Sequence, residues 1–182
     1  MSAGPSQVLI IRHGEKPGDP STDSAADSTG LSTQGYERAA SLAVYLPATF
    51  GKPDVLFATQ ASVNSNRPVE TITPLATALG LTIDDSYADD EYPALATAVL
   101  TQPQYAGQLV LICWHHGMIP ALTTALGGVA PSTHWKGHVF DRVWKIDYPA
   151  GGATTGLPVA DIPQMLMYGD SSDNLSEDQR TK

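Results

Sequence analysis

The sequence predicts an α/β fold: a three-layer sandwich in which a mainly parallel sheet carries helices on both faces and an antiparallel pair forms one edge. Three observations carry the prediction. The strand segments 8–11, 54–58 and 109–113 are apolar without interruption once past Asp54 at the start of the second, as strands covered on both faces are. Segments with helical apolar spacing separate them, so the chain reads strand, helix, strand, helix, strand, helix. The strand-like stretches 139–148 and 164–168 are joined by a Pro- and Gly-rich connection that suits an antiparallel pair.

Val8, Leu9, Ile10 and Ile11 form the first strand, which ends at Arg12-His13-Gly14. Residues 19–30 are rich in Ser, Asp and Pro without apolar periodicity and read as a surface loop. Ser32 or Thr33 caps a helix with Tyr36, Ala39, Ala40, Ala43 and Leu46 on one face, which Pro47 is expected to stop. After the second strand, a polar loop over 59–66 leads to a helix with Arg67 on its first turn and Gly80 at its end. A short strand at 81–83 and an acidic stretch at 84–91 precede a helix opened near Pro93. The third strand runs into Trp114-His115-His116-Gly117, and a further helix over 119–126 closes at Gly127-Gly128. Residues 1–170 read as one catalytic domain and 171–182 as a solvated tail, with Asp170 at the boundary.

With 182 residues and 42% hydrophobic content, the chain suits one well-filled core. Its formal net charge of −9 repels nucleic acid and anionic membrane surfaces, and neither is an expected partner. A phosphorylated ligand is repelled too, unless the ten basic residues are concentrated where it binds. In a parallel sheet, ligands sit beyond the carboxyl ends of the strands. Arg12-His13 follows the first strand, Arg67 opens the helix after the second and His115 follows the third, so two arginines and two histidines converge on that edge. Planar guanidinium groups offer paired donors to phosphate oxygens, and a neutral imidazole can attack phosphorus.

Arg12-His13-Gly14-Glu15 after a buried strand resembles the signature of the histidine phosphatase, or phosphoglycerate mutase-like, superfamily. Three further stretches match in order: Leu31-Ser32-Thr33-Gln34-Gly35, Arg67-Pro68-Val69-Glu70-Thr71 and His115-His116-Gly117-Met118-Ile119-Pro120. The resemblance covers roughly residues 8–126 and implies that His13 is phosphorylated. It further implies that Arg12, Arg67 and His115 hold the phosphoryl oxygens and that Glu91, with Asp89 and Asp90 as rivals, donates a proton to the leaving group. Gly14, Glu15, Lys16, Asn66 and His116 are the accompanying substrate-binding candidates, with Lys16 placed to meet a second anionic group. The chain departs from the family pattern in three places. The stretch before Arg67 is longer, so that Ser62, Asn64, Ser65 and Asn66 could add a pocket wall; Trp114 stands where a small residue is usual; and His116 follows His115 directly.

The implied activity is hydrolysis of a phosphomonoester, on a small molecule or a phosphoprotein, through a phosphohistidine and without metal or other cofactor. A phosphoglycerate-type mutase and a phosphate-binding regulatory protein are the alternatives. His134 and His138 have metal-like spacing, but no third ligand is spaced nearby. The lone Cys113 excludes an intrachain disulfide, and the apolar run before Arg12 is too short for a signal-peptide core, so the expected compartment is the cytoplasm.

Overall fold

The computed structural model describes residues 4–18, 28–152 and 154–173. Seven strands form one sheet: β1 Gln7–Arg12, β2 Val55–Ala58, β3 Ile83–Asp84, β4 Leu109–Trp114, β5 Gly128–Val129, β6 Arg142–Asp147 and β7 Leu157–Pro163, in the order β3-β2-β4-β1-β6-β7-β5. β1, β2, β3 and β4 run parallel, and β6 is antiparallel to both β1 and β7. The helices are α1 Thr33–Phe50, α2 Arg67–Leu79, α3 Tyr92–Thr101 and α4 Ile119–Ala125.

The pleat of β1 and β4 divides the core into two layers. Leu9, Ile11, Leu111 and Cys113 face Leu42 and Leu46 of α1 and Ile72 and Leu75 of α2. Val8, Ile10, Val110, Ile112 and Trp114 face Leu95 and Val99 of α3, Ile119 and Leu122 of α4, and Trp135 and Trp144. Every one of these side chains is essentially inaccessible to water, and each contributes roughly 1.5–3 kcal/mol by burial. The three-layer sandwich expected from the sequence is thus the one formed.

Register sets the site. Arg12 lies opposite Trp114, and the His13 N–H donates to the Trp114 carbonyl at 3.4 Å. His13 and His115 therefore leave the sheet at the same level, one residue past adjacent parallel strands.

Several expectations need correction. α1 does not stop at Pro47 but continues to Phe50. Proline forfeits only the bond to the preceding turn, and near the end of a helix the Gly51 N–H can still donate to the Pro47 carbonyl at 3.2 Å. The partner of β6 is Leu157–Pro163, not 164–168, because Pro158 and Pro163 sit near the strand's ends, where a missing donor is tolerated. Gly128, expected only as a helix stop, opens β5, which pairs parallel with β7. Asp170, at the boundary of the expected tail, is held in the fold: its carboxylate accepts from Arg38 and from the Leu166 and Met167 N–H groups. Ser171 is tied as well, donating its N–H to Asp141 Oδ2 at 2.8 Å. Most of the loop expected at 19–30 and most of the tail lie outside the described residues.

Candidate active site

His13 is 3% exposed, and its Nδ1 is 2.7 Å from the Gly14 carbonyl oxygen. A carbonyl only accepts, so Nδ1 carries the proton and Nε2 keeps its lone pair. The Gly14 N–H donates to Thr71 Oγ1 at 2.9 Å, and that hydroxyl donates to the Arg67 carbonyl at 2.7 Å, which binds the loop after β1 to the first turn of α2. α1 holds the loop from the other side. Ser32 donates to the Glu15 carbonyl through both its N–H and its hydroxyl, and its Oγ accepts from the Gly35 N–H. Glycine is required at both Gly14 and Gly35: a Cβ on Gly14 would stand 2.9 Å from the Gly35 carbonyl oxygen, and one on Gly35 would collide with the Glu15 carbonyl oxygen.

Arg12 is 1% exposed. Its Nη1 donates to the Gly137 and Val139 carbonyls at 2.7 and 2.8 Å, and its guanidinium carbon lies 3.6 Å from the Phe140 ring centroid. Arg67 donates from Nε to the Gly30 carbonyl at 2.9 Å and from Nη2 to the Ser28 carbonyl at 2.6 Å. His115 presents its ring to that of His13 edge-on, with centroids 5.3 Å apart and planes at 70°. His116 lies beside Gly137, whose Cβ, if present, would be 3.8 Å from its Nε2.

The electrostatics follow from burial among cations. Desolvation, then Arg12, holds the His13 imidazole well below the usual histidine range. Burial, then Arg67 and Arg12, lowers His115 to about 4. His116 is lowered to about 4 by burial, then by Arg12, Lys16, His115 and His134. Near neutral pH the crevice therefore combines cationic guanidinium groups with neutral imidazoles. Such a site attracts an oxyanion and keeps a nucleophilic nitrogen unprotonated.

The acidic run is tied to the end of β4, where Trp114 Nε1 donates to the Asp89 carbonyl at 3.3 Å. Asp89–Glu91 form a single 3-10 turn leading into α3. Glu91 is exposed, and its Oε2 accepts from the Ala88 N–H at 2.8 Å. Asp89 is half-buried, and burial followed by the charge of Asp90 raises its pKa. Its Oδ1 is buried without a hydrogen-bond partner, which favours a protonated carboxyl.

The remaining candidates separate. Glu15 does not face the crevice: its carboxylate takes two N–H groups of Arg38, at 2.6–3.0 Å, deep in the core. Lys16 is exposed. Asn66 precedes α2 without capping it by its side chain, and its Nδ2 reaches Glu70 Oε1 at 3.5 Å. The longer stretch before Arg67 folds on itself through a Ser62–Ser65 bridge, with Val63 exposed at its tip. Trp114 does not enter the crevice but fills the α3 and α4 side of the core. His134 is exposed, and no cluster of three or more metal-ligating side chains exists among the described residues. Two residues escaped the sequence reading. Phe140 was hidden in a strand-like run, whereas Arg38 left a signal, being a charged residue on the apolar stripe of α1 formed by Gly35, Ala39, Leu42 and Leu46.

The sequence matches no family model and no curated protein. In structure the chain is similar to mycobacterial glucosyl-3-phosphoglycerate phosphatase, at 16% identity and a TM-score of 0.58, over 87% of this chain and 97% of that one. It is also similar to phosphoglycerate mutase from Bacillus anthracis str. Sterne, at 14% identity and a TM-score of 0.52, over 86% and 92%. Phosphoserine phosphatase from Entamoeba histolytica, solved in complex with 3-phosphoglyceric acid, is a third, at 11% identity and a TM-score of 0.56, over 88% and 99%. At these identities the likeness establishes the fold, which the chain shares with these two phosphatases and the mutase. No helix among the described residues is long and apolar enough to cross a membrane.

Proposed function

We propose that this chain is a phosphomonoesterase in which His13 Nε2 takes the phosphoryl group from an ester and passes it to water. The observation that carries the reading is the His13 Nδ1 bond to the Gly14 carbonyl, which leaves Nε2 as a nucleophile beside His115. In the first step the P–Nε2 bond forms as the ester P–O bond breaks, and a carboxylic acid of the 89–91 turn protonates the leaving oxygen. Asp89 is the stronger candidate, because its carboxyl is favoured in the protonated form while Glu91 caps its own turn. In the second step water attacks phosphorus, the carboxylate takes the water's proton, the P–N bond breaks and His13 is restored. The Nδ1–H bond stabilises the charge on the ring while it carries phosphate. Arg12, Arg67 and His115 compensate the charge that a metal ion neutralises in other phosphoryl-transfer enzymes, so the chemistry is proposed to need no metal.

The substrate class is a phosphorylated small molecule, in keeping with the glucosyl-3-phosphoglycerate, phosphoglycerate and phosphoserine named for the structural neighbours. A phosphoprotein is the second possibility. A cytoplasmic setting is proposed from the single buried Cys113.

The test is a panel of phosphomonoesters assayed for phosphate release in the presence of a chelator, with an alkaline quench and mass spectrometry of the peptide containing His13. Phosphate release with label on His13 is expected. Release with the label on another residue overturns the nucleophile, and phosphoryl return to a bisphosphate-primed product instead of water identifies a mutase.

A further inference from the structure

Arg38 is 1% exposed and gathers three distant parts of the chain. From α1 it donates to both carboxylate oxygens of Glu15, to Gln164 Oε1 at 2.9 Å, and to Asp170 Oδ1 and Oδ2 at 2.7 and 3.1 Å. Each acceptor is anchored in turn. Gln164 donates its N–H to the Asp141 carbonyl and its Nε2 to the Arg142 carbonyl, and Asp170 accepts from the Leu166 and Met167 N–H groups. The cluster holds one cation and two carboxylates, all nearly inaccessible to water. Burial of charge on this scale is stable only when every member is paired.

The position of the cluster gives it meaning. Glu15 stands two residues after His13, and the peptide between them carries the Gly14 carbonyl that accepts from His13 Nδ1. A histidine in water prefers its proton on Nε2, so the nucleophilic form here exists because that carbonyl is held in place. The Glu15 carboxylate, gripped by a planar fork, fixes the peptide's far end, while Thr71 and Ser32 fix its near end and its backbone.

We propose that Arg38 is a positioning residue for His13: by clamping Glu15 to Asp170 in the C-terminal segment it fixes the Gly14 carbonyl and thereby the tautomer that exposes Nε2. The inference rests on the reading of His13 as the nucleophile. It gives Gln164 and Asp170, far from His13 in sequence, a share in positioning the nucleophile.

Glu15→Gln and Asp170→Asn test this, because each removes one carboxylate and leaves Arg38 with the other, so a neutral pair remains. Heteronuclear NMR of the imidazole nitrogens reads the tautomer without relying on turnover. Wild type should show His13 with the proton on Nδ1. Glu15→Gln, folded by circular dichroism, should show a mixture with Nε2–H, kcat lowered ~10–100-fold and KM within about twofold, as a nucleophile misplaced by about 1 Å behaves. Asp170→Asn should shift both in the same direction by less. A His13 tautomer unchanged from wild type in both folded variants overturns the proposal, whatever happens to kcat. Wild-type His13 on Nδ1 without phosphate release from any ester would instead overturn the function proposed above and leave the clamp standing.

Discussion

Trp114 Nε1 donates to the Asp89 carbonyl at 3.3 Å, so the residue immediately before His115 anchors the acidic turn to the end of β4. The large residue at that position thus ties the backbone of the 89–91 turn to the strand that leads into the second histidine.

This arrangement predicts which acid matters. Asp89→Asn should lower kcat on alkyl phosphates by about 100-fold or more while sparing an aryl phosphate, whose phenolate departs with little protonation. Glu91→Gln should cost far less. Because Asp89 has a raised pKa in the fold, its ionisation at neutral pH opposes folding, so Asp89→Asn should also melt no lower than wild type. Steady-state kinetics with the two ester types, beside thermal melts, decide the matter, and a Glu91→Gln variant that alone shows the leaving-group dependence would reassign the acid.

A second prediction concerns pH. Imidazole resonances of His115 and His116 should titrate with midpoints near 4, and that of His13 well below the ordinary 6.5. Between 6.5 and those midpoints the unfolded chain binds protons on these histidines that the fold does not, so unfolding takes up protons and stability rises with pH. Tm should therefore fall as pH is lowered from 6.5 towards 4, and bound phosphate should flatten that fall by pairing with a protonated His115. Midpoints near 6.5 for all three rings would show that the crevice is wet.

The two arginines should fail differently. Arg67→Lys removes a fork from the proposed phosphate site and should lower kcat/KM ~10–100-fold, the scale expected for a charge-assisted hydrogen bond; its bonds to the Gly30 and Ser28 carbonyls are less buried than those of Arg12, so its Tm should fall less. Arg12→Lys also forfeits the bonds to Gly137 and Val139 and the stacking on Phe140, so it should lose activity and stability together. Kinetics and melts on both variants provide the comparison.

Gly35→Ala places a methyl group against the Glu15 carbonyl oxygen, which is backbone and cannot swing aside. It should cost about 1–3 kcal/mol of stability, the usual range for overpacking, and should depress kcat by moving the His13 loop. Gly107→Ala, at a surface turn where an added Cβ meets nothing, is the control: it should lose some stability to its positive φ and keep its kcat. Equal losses of kcat in both variants would remove the special status of Gly35.

An oxyanion should stabilise the fold. At a hundred times its Kd, vanadate or phosphate adds about 2.7 kcal/mol through binding to the folded state alone. His115→Ala should reduce the accompanying rise in Tm, whereas an unchanged rise would place the anion elsewhere.

Much of the site was legible without coordinates because it is made of local signals. Buried parallel strands write themselves as unbroken apolar runs such as Val8 to Ile11, and the fold places whatever follows them at one edge, so Arg12, His13, Arg67 and His115 could be brought together from position in the sequence. Pairings between distant segments had no such signature. Arg38 meets Gln164 and Asp170 across 126 and 132 residues, and nothing near any of the three announces the others. The same holds for Glu15, which read as a ligand-facing motif residue until a buried arginine claimed it, and for Asp89, whose neighbours in sequence are equally acidic. Residue type and spacing pointed to the chemistry proposed for the chain; burial and long-range partners, which exist only once the sheet has assembled, decided which carboxyl has its pKa raised, which one serves as a strut and which nitrogen of His13 keeps its lone pair.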